Sequence, residues 1–110
     1  RGDCFMLAED ISGIDFLKVD TEGHDLQVLH GFDETLIKGM IGLIQCEVSM
    51  SLANQKHVYF EDVLEFVKPF GFEIFGFYEQ IRTPGREFLR RADLVLINYD
   101  YFHGISPKDV

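Results

Sequence analysis

Three polar residues follow the run Ile14-Asp15-Phe16-Leu17-Lys18-Val19 at alternate positions: Asp20, Glu22 and His24. In an extended chain, side chains two apart point the same way, so a strand that continues through them gives all three one direction. Carboxylates so placed can take a proton from a hydroxyl, accept hydrogen bonds from a ligand, or hold a cation together with the imidazole. The same residues also suit the start of a helix, where Asp20 or Glu22 would accept backbone N–H bonds and meet no ligand. Spacing alone leaves both roles open.

A further carboxylate, Glu47, ends a second apolar run, Ile41 to Val48. If the two runs are parallel neighbours, Asp20 and Glu47 lie side by side at the carboxyl edge of the sheet, where ligands of open α/β sheets bind. The competing role for Glu47 is a buried ion pair with Lys18, a cation standing inside a strand and needing a partner there. Glu79-Gln80 and Arg90-Arg91 flank a later turn, and they either rim the same cleft or are simply solvated. His30 and His57 have no partner at metal-ligand spacing. No glycine-rich phosphate loop, Ser-His-Asp order or activated cysteine is legible.

The elements that must position these groups follow from periodicity. Ile14 to Val19 carries apolar groups on both parities, as in a strand covered on both faces, and is expected to be central. Beyond Gly23 the period changes: Leu26, Leu29 and Phe32 recur at helical spacing, Asp25 suits the positive end of the helix dipole, and Gly31 falls where a left-handed C-cap is common. A short turn is expected over Glu34 to Lys38 and a strand over Ile41 to Val48. Ser49 to His57 is a polar connection. From Tyr59 to Lys68 the residues Phe60, Val63, Leu64 and Val67 follow the i, i+3, i+4, i+7 rule of an amphipathic helix, which Pro69 and Gly71 end. A strand over Phe72 to Glu79, a turn at Pro84-Gly85 and a last strand over Asp93 to Tyr99 complete the chain. Arg1 to Gly13 reads as a lead-in without sustained period, and the tail from Asp100 as polar and frayed. The order is strand, helix, strand, helix, strand, strand, an α/β arrangement with a mostly parallel sheet and a terminal antiparallel pair.

At 110 residues one domain is expected, and 46% hydrophobic content with 11 Phe supplies its core. A net charge of −9 disfavours nucleic acid and anionic membrane as partners. No apolar run approaches the roughly 20 residues that span a bilayer, and the first residues lack an export pattern, so a cytoplasmic setting is expected. Cys4 and Cys46 form neither a disulfide framework nor a zinc spacing.

Phe16-Leu17-Lys18-Val19-Asp20-Thr21-Glu22-Gly23-His24-Asp25-Leu26-Gln27-Val28-Leu29-His30-Gly31 resembles the signature of the FkbM-type S-adenosylmethionine-dependent methyltransferases, with Asp25 where that family usually has Glu. Leu43 to Val48, Gly71-Phe72, Gly76 to Glu79 and Ala92 to Leu96 resemble its later strands. The resemblance spans 14–98 and implies a seven-stranded Rossmann-like fold, of which residues 1–110 form the C-terminal half, starting just before the fourth strand. The glycine-rich loop and the ribose-binding acid are then expected outside this chain, which leaves S-adenosylmethionine most of its cradle short. The implied activity is methyl transfer to a hydroxyl of a small molecule or sugar, with Asp20 first and Glu22 second as catalytic residues. Lys18, Gly23, His24, Glu47 and Glu79 are expected to line the substrate and cofactor cleft. The alternative is a non-catalytic remnant that forms a homodimer through the Ile14 to Val19 strand, whose family neighbour would be missing. A carboxylate metal site at Asp20, Glu22 and His24 is a weaker third option.

Overall fold

The computed structural model describes residues 1–54, 56–82 and 89–102. It opens with a helix, α1 (Gly2–Ala8), where sequence pattern promised only a lead-in. The period is invisible because α1 buries only Asp3 and Met6. Asp3 is used at long range: its carboxylate accepts hydrogen bonds from the backbone N–H groups of Glu34 and Thr35, both at 3.0 Å, and from the Thr35 hydroxyl at 2.6 Å.

β1 (Ile14–Val19) forms over the expected residues. Two short helices, α2 (Asp25–His30) and α3 (Asp33–Ile37), return the chain to β2 (Ile41–Ser49). β1 and β2 pair in parallel with Val19 beside Cys46, the crossover that the strand-helix-strand order requires. Gly31 is right-handed, with φ −65°, rather than the expected left-handed cap. Its backbone instead lies against the chain start, where its carbonyl accepts the Asp3 N–H at 2.8 Å.

After a loop, β3 (Val58–Tyr59) extends the β1 side of β2 by two residues, and α4 (Phe60–Val67) follows. Val63 and Val67 are fully buried, as the helical period predicts, each worth about 1.5–3 kcal/mol of transfer free energy. A 3₁₀ turn, Lys68–Phe70, ends in Gly71 at φ +90°, a conformation glycine adopts without strain. Then come β4 (Glu73–Arg82) and β5 (Leu89–Ile97). The turn assigned to Pro84-Gly85 lies outside the described residues, as does the tail beyond Phe102. Tyr99–Phe102 is a 3₁₀ turn rather than frayed tail, and Tyr101 donates its hydroxyl to Asp15 at 2.6 Å.

The sheet order is β1-β2-β5-β4. β5 runs antiparallel to both β2 and β4. The expected terminal pair, β4 and β5, is antiparallel, but β5 also inserts between the two strands that the α4 crossover connects, so it makes a second antiparallel pairing, with β2, while the other strands share one direction. β1 is not central. It has one strand neighbour among the described residues, and Phe16 is 48% exposed. The core gathers on one sheet face, where Val19, Ile44, Cys46, Val48, Leu94 and Leu96 meet Leu29, Leu36, Val63 and Val67. By register the opposite face carries Phe16 and Lys18, Gln45 and Glu47, Asp93, and Tyr78. Among the described residues no helix is long and apolar enough to cross a membrane.

Candidate active site at the carboxyl edge of the sheet

The site begins with a turn. After Val19 the chain leaves the strand, Glu22 takes a left-handed φ of +50° and Gly23 one of +106°. A Cβ on Gly23 would stand 2.6 Å from the Lys56 carbonyl oxygen, so glycine is required by both conformation and contact. The buried carboxylate Asp25 holds the other side of the turn. It accepts the Thr21 N–H at 3.1 Å and also bonds the Thr21 hydroxyl. Asp25, not Asp20 or Glu22, therefore fastens this turn, and neither of those two makes a side-chain hydrogen bond among the described residues. His24 is the exposed N-cap of α2, with no capping bond from its side chain. Asp20, Glu22 and His24 do not gather as a metal-ligand group among the described residues.

The parallel register ends at Val19 beside Cys46; Asp20 follows directly past the end of β1 and lines neither of the clefts described below, and Glu47 follows Cys46 within β2. Lys18 shares the sheet face of Glu47 and pairs in register with Gln45. The competing Glu47–Lys18 bridge does not form among the described residues, because Glu47 is claimed from elsewhere. Its Oε1 accepts Arg91 Nη1 at 2.8 Å and is in contact with His57 Nε2. Asn54 fixes the imidazole: its Oδ1 accepts the Lys56 N–H at 3.0 Å, which turns its amide nitrogen to His57 Nδ1 at 3.3 Å. Nδ1 is thus the acceptor, and Nε2 carries the proton given to Glu47. With both nitrogens engaged, His57 orients Glu47 and has no nitrogen left to act as a base. Oε2 of Glu47 has no partner among the described residues.

Two clefts meet at Glu47 and Arg91. The larger, about 460 Å³, is lined by Glu22, Glu47, Lys56, His57, Arg90 and Arg91. The smaller, about 240 Å³, is lined by Glu47, Glu79, Ile81, Arg91, Ala92 and Asp93. Glu79 reaches its place through a β-bulge: between the Tyr78/Asp93 and Ile81/Arg91 pairs, β4 spends one residue more than β5, and Glu79 turns left-handed at φ +49°. Bulges re-aim side chains beside functional sites, and non-glycine residues held left-handed concentrate there. Asp93 sits directly opposite Glu47 in the antiparallel pair. Burial, then the charges of Glu47 and Glu79, push its carboxyl above the usual range, against the opposing pull of Lys18 and Arg91. Behind the site, burial with Asp25 and Asp93 nearby pushes the Cys46 thiol up to about 12, which leaves it unreactive.

The profile described as the Methyltransferase FkbM domain matches residues 3–74, more than half of the 110-residue chain. The chain belongs to the FkbM methyltransferase family. No curated protein and no solved structure matches it. The FkbM match covers the Asp20–Asp25 turn, Glu47 and His57, but not Glu79, Arg90, Arg91 or Asp93. Of the residues expected from sequence, Glu22 and Glu47 come together in the larger cleft, Gly23 packs beneath it on Lys56, and Glu79 reaches Glu47 through the smaller one. Lys56, His57 and Asp93 were missed as site residues. Their only sequence signal was polarity in a loop, or a lone acid in an apolar strand.

Proposed function

We propose that this FkbM chain is the C-terminal half of a Rossmann-like O-methyltransferase domain that uses S-adenosylmethionine to methylate a hydroxyl of a small molecule or sugar. The observation that supports this reading is the parallel β1/β2 pair, whose carboxyl edge opens on the cleft that Glu22 and Glu47 line. The donor set fits the cofactor in kind: the carboxylates of Asp20 and Glu22, unbonded among the described residues, suit a sulfonium and an ammonium group. When bound, S-adenosylmethionine supplies an electrophilic methyl group. Asp20, with Glu22 second, accepts the proton of the acceptor hydroxyl, and Glu47, held by Arg91 and His57, orients that hydroxyl through Oε2. Titration calorimetry with S-adenosylmethionine is the test, and binding at micromolar strength would say that the half-domain retains a cofactor site of its own. In a chain that turns over, Asp20→Asn lowers kcat by about 10²–10⁴ with little change in KM. No binding at millimolar cofactor would defeat the reading for this chain.

A second reading, a dimerising module without catalysis, is favoured by the open β1 edge, where Phe16 is 48% exposed.

A further inference from the structure

We propose that the larger cleft binds an oxyanion, so that the acceptor is an acidic molecule carrying a carboxylate or phosphate beside its hydroxyl. This deepens the methyl-transfer reading and rests on it for the word acceptor; the binding itself does not.

Three of the chain's 10 Lys and Arg residues, Lys56, Arg90 and Arg91, line one cleft of a protein with net charge −9. The acids in the cleft do not cancel them. Glu47 is taken by Arg91, with His57 on the same oxygen. Glu22 then faces both Lys56 and Arg90, and among the described residues neither cation makes an ion pair. Among the described residues Arg91 Nε is buried with no hydrogen-bond partner, a state that normally costs about 1–3 kcal/mol. An oxyanion has the paired oxygens that guanidinium donors recognise.

The backbone that carries two of these cations is held in place. The Lys56 N–H is bound by Asn54 and its carbonyl lies against Gly23, while the Arg90 carbonyl accepts the Met50 N–H at 2.9 Å. A volume of about 460 Å³ suits a monosaccharide-sized ligand. Glu22 on the same wall leaves a carboxylate for the ligand's hydroxyl. The overall negative charge excludes anionic polymers but not a single anionic group within reach of these side chains.

The test is calorimetry on the 110-residue chain with D-glucuronate, D-glucose 6-phosphate and D-glucose. At least one acid is expected to bind about tenfold or more tightly than glucose, as one charge-assisted hydrogen bond provides. Which acid binds identifies the oxyanion as carboxylate or phosphate. Lys56→Gln and Arg90→Gln, both exposed positions, should each weaken the acid about tenfold while the circular dichroism spectrum and Tm stay unchanged. Glucose binding as tightly as the acids, absence of acid binding, or full affinity in both variants would each overturn the proposal. S-adenosylmethionine titrated separately keeps the two readings apart: cofactor binding without acid binding defeats only this inference, and acid binding without cofactor binding defeats only methyl transfer.

Discussion

Asp93 and Glu47 face each other across β5 and β2, and like charges in that position destabilise a sheet. The chain tolerates the pair because Arg91 neutralises Glu47 and because Asp93 holds its proton to higher pH than a free carboxyl does. A folded-state pKa raised above the unfolded value gives stability that is present below the ordinary value of 3.8 and is lost as pH rises through the raised one. Above the ordinary carboxyl range Asp93 is therefore a cost to folding. Asp93→Asn should stabilise the chain at pH 7 by about 0.2–1 kcal/mol, and the two urea midpoints should converge as pH falls to the ordinary carboxyl range. A variant no more stable than the parent at pH 7 would show that Arg91 and Lys18 already compensate the charge.

Elements here are fixed partly by single residues lent from elsewhere. Asp3 in α1 satisfies the first turn of α3, and burial, which raises its pKa, is outweighed by hydrogen bonds from the Thr35 side chain and the Glu34 and Thr35 amides, with Arg1 adding a charge. Its contribution is present above the ordinary value of 3.8 and is lost as pH falls through the depressed one. Asp3→Ala should cost about 1–2 kcal/mol at neutral pH, read as a Tm lower by about 4–8 °C per kcal/mol, and the deficit should shrink in acid. An unchanged Tm at neutral pH would mean that α3 needs no such cap. α1 was not legible in the sequence because its role rests on this one contact rather than on a repeating apolar face. β1 and β2 were legible as short, largely apolar runs, and α4 because period 3.6 repeats through Phe60, Val63, Leu64 and Val67. The position of β5 was not, since its apolar run pairs equally well with one neighbour or two. The site divides the same way: strand ends exposed Asp20, Glu22 and Glu47 as candidates, while the partners of Glu47 lie in a loop and on β5, 44 residues away at Arg91, where only folding brings them.

At the scale of the whole molecule, one side of the sheet ends in β1, whose outer edge meets no strand among the described residues. The Ile14 N–H donates to the Met40 carbonyl at 2.7 Å, so by alternation Phe16 and Lys18 also turn their backbone groups to β2, and Asp15, Leu17 and Val19 turn theirs outward. No strand meets those outward groups among the described residues, and such an edge is a template for another chain. A second copy added about a two-fold axis through Leu17 pairs Leu17 with itself. It also sets Phe16 opposite Lys18, where the lysine stem can cover a ring that is 48% exposed. The exposed charges of Asp15 and Lys18 hold this association below aggregation. Sedimentation equilibrium should therefore show a monomer–dimer equilibrium without higher species. Phe16→Lys places a second ammonium opposite Lys18 at two symmetric positions, each unfavourable by about 0.2–1 kcal/mol, and should shift the chain to monomer with its Tm in dilute solution retained. A parent chain that stays monomeric at the highest soluble concentration would remove the dimer, and with it the support for the non-catalytic reading.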